Sequence, residues 1–289
     1  METGQLQELL REKMQGMPNK AHRVVEYLLK NMREAAFRSI GDVADELGVS
    51  KAQLVRVSRM LGFAGYSQLK DALQSAMLGQ VNPAAMLARV MDNRQDLPTV
   101  IHRIEHANLD DTWSQILPEN VSSFCSILQE AESTYCIGWG ISSMVAESLF
   151  IRLRTMGMRA ILMTRSAMTL QEQARSIGEK DIVVVCELPS FVIEVTEAVE
   201  IAKRNGARII TITDSPAAPI CRHSDLPFFV SAESPMFGSS IIGPMFLIHI
   251  LTSVLAVNMG EATRTAMEEQ ARFLHDERIF HPVFGLRYS

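Results

Sequence analysis

Four absences narrow the classes of protein to which this chain of 289 residues can belong. It has only four cysteines, and none lies at metal-ligand spacing from another, so we expect no metal site. Reduced, buried thiols in a cytosolic protein are the simplest account of them. The first residues, METGQLQELLREK, contain no apolar core, and we expect no secretory signal peptide. The cysteines are Cys125, Cys136, Cys186 and Cys221.

Charged residues are absent from Ser234 to Gly260, a run of 27 residues without Asp, Glu, Lys or Arg. A membrane-spanning helix needs a run of this kind. However, His249 and the pair Gly243-Pro244 interrupt it, and no basic cluster flanks it. We therefore expect a buried helix, at a domain core or a subunit interface, and no membrane partner.

A global excess of basic charge is also missing, since the net charge is −5. The charge is nevertheless unevenly distributed. Residues 1–78 hold 11 Lys and Arg against 9 Asp and Glu, whereas the remainder holds 17 against 24. A slightly basic N-terminal part followed by an acidic remainder is consistent with a protein that binds nucleic acid through its N-terminal part only.

The stretch IGDVADELGVSKAQLVRVSR, residues 40–59, has the spacing of a DNA-binding helix-turn-helix. Val43 and Leu47 are four residues apart and therefore share one helical face. Gly48 can adopt the positive φ that ends a first helix sharply, and Ser50 can cap the second helix. The outer face of that second helix carries donors for phosphates or base edges. The predicted DNA-binding residues are Ser50, Lys51, Gln53, Arg56 and Arg59.

An ordinary helical hairpin with a glycine turn is the alternative for this stretch, because such hairpins are common. Two observations favour DNA binding. Seven positions of the pattern agree with a helix-turn-helix. No acidic residue occurs from Ser50 to Ser67, so the predicted recognition helix carries no negative charge that would repel phosphates.

The remainder of the chain indicates a second, different architecture. From about Ser122, short β-rich runs alternate with helix-length segments. Near-continuous apolar runs such as IVVVC and IITIT indicate strands buried on both faces, hence a parallel, doubly wound sheet. The predicted strands are Thr134–Ile137, Ala160–Met163, Ile182–Cys186, Ile209–Thr213 and Pro227–Val230. The predicted helices are Ser142–Met156, Ala167–Ile177, Val192–Asn205 and Ile241–Asn258.

The predicted fold is therefore an all-helical N-terminal domain joined to an α/β domain with a flavodoxin-like, doubly wound parallel sheet. The expected boundaries are residues 1–78 for the helix-turn-helix domain and 79–121 for a helical linker. The sheet domain is expected over 122–265, followed by a C-terminal helix and tail over 266–289.

The first predicted strand ends in GWGISS, residues 138–143, where glycines and serines could hold a ligand at a helix N-terminus. A dinucleotide site is excluded, because G-x-G-x-x-G would need glycine at Ser143 and the next strand lacks an acidic residue at its end. We expect no cofactor.

The chain resembles the RpiR family of bacterial transcription regulators over nearly its whole length. The best matches are VSKAQLVRVSRMLGFAGYSQLK, GWGISSMVAESLFIRLRTMG and AVEIAKRNGARIITITD. The resemblance implies a C-terminal sugar isomerase (SIS) domain that senses phosphosugars or related metabolites without catalysis. It also implies a cytoplasmic homodimer or homotetramer that binds double-stranded operator DNA and a carbohydrate-type effector.

The resemblance carries over residue by residue. Four residues match the first ligand loop of the family: Gly138, Gly140, Ser142 and Ser143. Ser240, which opens the last long helix, matches a serine often found there. Gln53 departs from the usual threonine and could bond an adenine edge bidentately, so base preference is expected to differ.

The second ligand loop departs furthest from the family's S-x-S-G-x-T. This chain has ELPSFV at residues 187–192, in which only Ser190 keeps a hydroxyl and Pro189 lacks an N–H. A Glu187 carboxylate about 4 Å from a phosphate would cost on the order of 4 kcal/mol at an effective dielectric near 20. We therefore expect an effector without a phosphate there, with Glu187 and Ser190 in the site, unless Glu187 faces solvent.

Two other functions remain open at this point. One is an SIS-type sugar-phosphate isomerase, for which Glu147, His223 and His249 are the candidate bases, although none has an evident partner. The other is a DNA-binding protein whose second domain only dimerises. It differs from the leading interpretation in whether a metabolite changes DNA affinity.

Overall fold

The computed structural model describes residues 3–80, 84, 87, 90–91, 96–236, 238–279 and 281. The chain forms two compact units. One comprises Met1–Ile101 with the short segments Ser215–Ala218 and Ser234–Ser239, and the other comprises the remainder. Each unit has its own hydrophobic core.

The first unit is helical, as predicted. Apolar side chains from successive helices fill its core, among them Leu10, Val25, Leu28, Leu54 and Leu73, each buried at 1% exposure or less. Their i, i+3 and i+4 spacing places one apolar face of each helix inward. The helices are α1 (Thr3–Met14), α2 (Asn19–Lys30), α3 (Met32–Phe37), α4 (Ile40–Leu47), α5 (Lys51–Met60) and α6 (Tyr66–Gln80).

The second unit alternates helices and strands around one sheet. Helix α7 (Leu97–Gln115) precedes it in sequence. There follow α8 (Pro118–Glu130), β1 (Ser133–Gly138), α9 (Ser142–Thr155), β2 (Ala160–Met163), α10 (Leu170–Ala174), β3 (Asp181–Cys186), α11 (Ile193–Arg204), β4 (Arg208–Thr213), a 3₁₀ turn (Pro219–His223), β5 (Leu226–Phe229), α12 (Ile242–Met259) and α13 (Glu261–Asp276).

The sheet has five parallel strands in the order β2-β1-β3-β4-β5. Strand β3 is buried at every position from Ile182 to Cys186, which confirms the prediction of burial on both faces. The strand order reverses between β1 and β3, where Gly138 is in register with Cys186. This reversal is the position at which open α/β sheets leave a ligand crevice.

Two sequence-based predictions need comment. The predicted helix Ala167–Ile177 is wrong in extent, since α10 covers only Leu170–Ala174. Thr169 ends the preceding loop as an N-cap: its hydroxyl accepts the Glu172 N–H, and the Glu172 carboxylate accepts the Thr169 N–H. The predicted tail over 266–289 lies partly outside the described residues, as does part of the predicted linker over 79–121.

Within the uncharged run, Ile242–Met259 form helix α12. By length and composition this helix could cross a membrane. Seven of its residues are buried, in a stripe that packs on the core with α8 and α9. The buried residues are Gly243, Pro244, Leu247, Ile248, Leu251, Thr252 and Leu255.

The cysteines are reduced thiols, three of them buried and Cys221 half-buried. Burial raises the pKa of Cys136 to about 12 and that of Cys221 to about 11. Both thiols therefore stay protonated and unreactive near neutral pH.

Candidate nucleic-acid interface and effector crevice

The turn between α4 and α5 has the predicted geometry. Gly48 adopts φ 62° and ψ 38°, a left-handed conformation that favours glycine. The Val49 N–H donates to Ala44 O at 2.9 Å, and the Gly48 N–H donates to Asp45 O at 3.1 Å. These two bonds form the Schellman arrangement that ends a helix abruptly. The sharp stop sets the angle at which α5 leaves α4.

Local hydrogen bonds also fix where the two helices begin. Ser39 and Asp42 form a capping box at α4, and their mutual hydrogen bonds lower the pKa of Asp42. The Ser50 hydroxyl accepts the Gln53 N–H at 3.2 Å, which confirms Ser50 as the N-cap of α5. Leu54 and Val57, on the inner face of α5, are buried, as predicted.

The outer face of α5 presents the predicted DNA-binding side chains. Lys51, Arg56 and Arg59 are exposed, and Gln53 is half-buried. The Arg59 Nε atom donates to Ala64 O at 3.3 Å, which orients the guanidinium while leaving the side chain exposed. Four donors therefore lie on or beside one helix, the pattern that phosphate and base-edge contacts need.

The first loop of the crevice follows β1 and requires both its glycines. A Cβ atom on Gly138 would lie 2.4 Å from the carbonyl oxygen of Ser142, so only glycine lets the loop fold back on the start of α9. Gly140 adopts φ 55°. The loop is thus held close to the helix N-terminus by backbone packing.

The two loop serines are not free hydroxyls. Ser142 is buried, and its Oγ atom accepts the N–H of Leu188 at 3.1 Å. Ser142 therefore ties the loop after β1 to the loop after β3, across the point where the strand order reverses. Ser143 is half-buried, and its hydroxyl donates to Gly140 O at 2.7 Å.

Glu187 lies beneath the second loop and does not face solvent, because its exposed fraction is 4%. Its Oε1 atom accepts the N–H of Val192, the N-cap of α11, at 2.8 Å. Among the described residues, its Oε2 atom is buried without a hydrogen-bond partner. Burial raises the pKa of Glu187 to about 7, although the Val192 N–H acts in the opposite direction.

The remaining predicted effector residues lie in different settings. Ser190 is exposed at φ 122°, a backbone conformation that favours glycine. Ser240 is buried, and its hydroxyl donates to Glu105 Oε2 at 2.7 Å and accepts the Ile242 N–H at 3.1 Å. The structure thus joins Ser142 directly to the second loop, whereas the Ser240 hydroxyl donates to Glu105 of α7.

Sequence reasoning missed Glu105 and its neighbour Asn108 on α7. Asn108 is buried and bonded to Glu105 and to the segment before α12. The only signal for them is polar residues at positions 105, 108 and 112, a helical spacing that points to one face. That signal does not by itself reveal which segment the face meets.

Family models match both parts of the chain. The helix-turn-helix domain of the rpiR family matches residues 4–78, and the SIS domain matches residues 127–254. The HTH-type transcriptional regulator RpiR of Escherichia coli (strain K12) is 29% identical over 266 residues, which cover 88% of this chain and 87% of that protein.

Two solved structures have a similar fold. The Vibrio vulnificus NanR protein, complexed with ManNAc-6P, is 24% identical with a TM-score of 0.65 and covers 94% of this chain and 98% of its own. The sugar isomerase domain of an RpiR transcription factor from Sphaerobacter thermophilus is 22% identical with a TM-score of 0.59. It covers 62% of this chain and 99% of its own.

A helix-turn-helix unit followed by an SIS-type parallel sheet defines a DNA-binding transcription regulator with a sugar-sensing domain. The chain belongs to the RpiR family of these regulators.

Proposed function

We propose that α5 reads an operator in the major groove and that Ser50, Lys51, Gln53, Arg56 and Arg59 make the contacts. The exposure of Lys51, Arg56 and Arg59 supports this assignment. The Ser50 hydroxyl accepts a backbone bond and keeps its own proton for a phosphate. Gln53 has the amide geometry to pair with an adenine edge.

The effector, we infer, is a carbohydrate-type compound without a phosphate at the second loop. One observation carries this inference: the Glu187 carboxylate already occupies the N–H of Val192 at the start of α11. A helix N-terminus is where an anion would otherwise be favoured. A phosphate placed there would find that N–H already taken by Glu187.

The protein acts, in this proposal, as a sensor and not as an isomerase. Glu147 is exposed on α9, and the His249 ring nitrogen Nδ1 lies 3.4 Å from the Arg152 guanidinium. Neither arrangement supplies a base held against a substrate in the crevice.

We propose that the protein is cytoplasmic and works as a homo-oligomer, at least a dimer. Large apolar side chains lie exposed on the two helices that pack together beside the sheet, α9 and α12. Exposed apolar groups concentrated in one region mark interaction surfaces. A dimer would present two α5 helices to two half-sites. The exposed residues are Met144 and Ile151 on α9, and Ile242 and Val257 on α12.

The experiment that tests the proposed function starts from operator DNA. The full chain is used to enrich a binding sequence from a random duplex pool at fixed salt. Operator affinity is then measured with matched pairs of sugars and their 6-phosphates, N-acetylmannosamine among them. We expect a free sugar to change operator affinity and its phosphate to have less effect. In Glu187→Ser, the response to the phosphorylated member should increase tenfold or more. Failure to enrich any sequence would refute the regulator, and a wild-type response confined to phosphosugars would refute the inferred effector class.

A further inference from the structure

Helix α7 docks through polar side chains. Glu105, Asn108 and Thr112 share one helical face, and the exposed fractions of Asn108 and Thr112 are 1% and 0%. Helices usually pack through an apolar stripe, because burying polar groups is costly unless each one is hydrogen-bonded. Each polar group on this buried face is therefore expected to have a hydrogen-bond partner.

Asn108 has every hydrogen-bonding position filled. Its Nδ2 atom donates to Glu105 Oε2 at 2.9 Å and to Glu233 O at 2.8 Å. Its Oδ1 atom accepts the Ser231 hydroxyl at 2.9 Å and the Glu233 N–H at 3.0 Å. An amide has two donor hydrogens and one oxygen with two lone pairs, so this side chain is fully satisfied. It joins α7 to the segment between β5 and α12.

The backbone of that segment also lies directly against α7. Thr112 Oγ1 accepts the Ser231 N–H at 3.0 Å. A Cβ atom on Gly243 would lie 2.6 Å from Thr112 Oγ1 and 2.3 Å from Ser231 O. The start of α12 is therefore packed tightly against α7, and displacement of one of these helices requires movement of the other.

The single hydroxyl hydrogen of Ser240 is already used in a hydrogen bond to Glu105. The Ser240 hydroxyl donates to Glu105 Oε2 at 2.7 Å while accepting the Ile242 N–H. A hydroxyl has one donor hydrogen. An effector oxygen that accepts a hydrogen bond from Ser240 must therefore replace Glu105 as the acceptor. Glu105 then keeps its bond from Asn108 and loses its bond from Ser240.

We propose that the effector accepts a hydrogen bond from the Ser240 hydroxyl, in competition with Glu105, so that Glu105 is a positioning residue for Ser240. Helix α7 lies in sequence between the helix-turn-helix region at 4–78 and the SIS region at 127–254. Effector capture of Ser240 releases Glu105 and loosens α7, and operator affinity changes as a result. The inference rests on the proposed function and names the side chains through which its two sites are coupled.

The test uses the full chain, the enriched operator and no added effector. Loss of the Ser240–Glu105 bond should mimic the effector-bound state. Ser240→Ala and Glu105→Ala should therefore change operator affinity in the same direction, each by about tenfold, and the double variant should show no further change. Glu105→Gln should restore wild-type affinity, because one amide oxygen can accept both bonds. Ser253→Ala, on the exposed side of α12, is the matched serine control.

Hydrogen exchange of the α7 amides, measured on the same proteins, separates coupling from a merely structural role. Faster exchange in Ser240→Ala with unchanged operator affinity would overturn the proposal. So would additive effects of the two single variants, or a Glu105→Gln protein that behaves like Glu105→Ala. If the wild-type protein enriches no operator, the proposed function fails first, and the inference fails with it.

Discussion

The Oε1 atom of Glu187 accepts the backbone N–H of Val192 at 2.8 Å, across a loop that begins with one residue and ends with the other. The chain thereby supplies its own acidic group at the N-terminus of α11. The same carboxyl is 4% exposed, and its second oxygen has no partner among the described residues. Burial outweighs the favourable helix terminus, and the pKa of Glu187 rises to about 7.

This raised pKa predicts a specific pH dependence of stability. The folded protein binds a proton at Glu187 that the unfolded chain releases near its ordinary pKa of 4.5. The contribution is therefore full below pH 4.5 and is lost as pH rises to about 7. Relative to wild type, Glu187→Gln should gain about 3 kcal/mol in unfolding free energy between pH 4 and pH 8. Urea unfolding across that range measures this gain.

Glu147→Gln, exposed on α9, serves as the matched control for that measurement. Because Glu147 is exposed, this variant removes a carboxyl group without removing a buried one. Parallel pH profiles for wild type and Glu187→Gln would contradict the buried, protonated carboxyl.

The first crevice loop should not tolerate a side chain at Gly138. A Cβ atom there meets the backbone carbonyl of Ser142 at 2.4 Å, and backbone cannot move aside as a flexible side chain can. We expect Gly138→Ala to lower the free energy of unfolding by about 2–3 kcal/mol. Gly178→Ala is the control, because a Cβ atom there meets nothing within 4 Å. Equal stability of the two variants would show that the loop can shift freely.

Arg56 should contribute to operator binding through its exposed guanidinium. If it contacts a phosphate, Arg56→Ala should weaken binding to all sequences and reduce the salt slope by about one. If it reads a base, the loss should be about 1–3 kcal/mol and confined to one operator position. Lys20→Ala removes the same charge from an exposed site on α2. An equal effect of both variants would mean that α5 has no special role.

Ile151 tests the proposed dimer surface. It is exposed on α9 beside Arg152, which lies 3.4 Å from His249 of α12. A charge in a buried apolar interface is strongly unfavourable, so Ile151→Asp should shift the protein toward monomer by at least tenfold in dissociation constant. Light scattering after size exclusion measures this. Ile193→Asp, exposed on α11, should leave assembly unchanged, and an unchanged mass for both would remove α9 from the interface.

Sequence alone predicted the local features well, because each depends on residues a few positions apart. Gly48 ends α4 and Ser50 begins α5 through bonds that span three to five residues. Strand β2 has the predicted limits, and β3 begins one residue earlier than predicted, because continuous apolar runs mark strands buried on both faces. The predicted length of α10 was too great, because the apolar periodicity extends beyond the helix that begins after the capping box of Thr169 and Glu172.

Tertiary structure alone decided what the site residues do. The sequence left open whether Glu187 faces solvent, and only the folded structure shows that it is buried and bonded to the Val192 N–H. Ser142 looks like a free ligand hydroxyl in sequence, yet it accepts the N–H of Leu188, 46 residues away. Glu105 and Ser240 are 135 residues apart, and no local pattern predicts their bond. Caps and strand runs follow from short-range sterics and hydrogen bonding, whereas the partner of a buried polar group depends on which distant segment the completed fold brings against it.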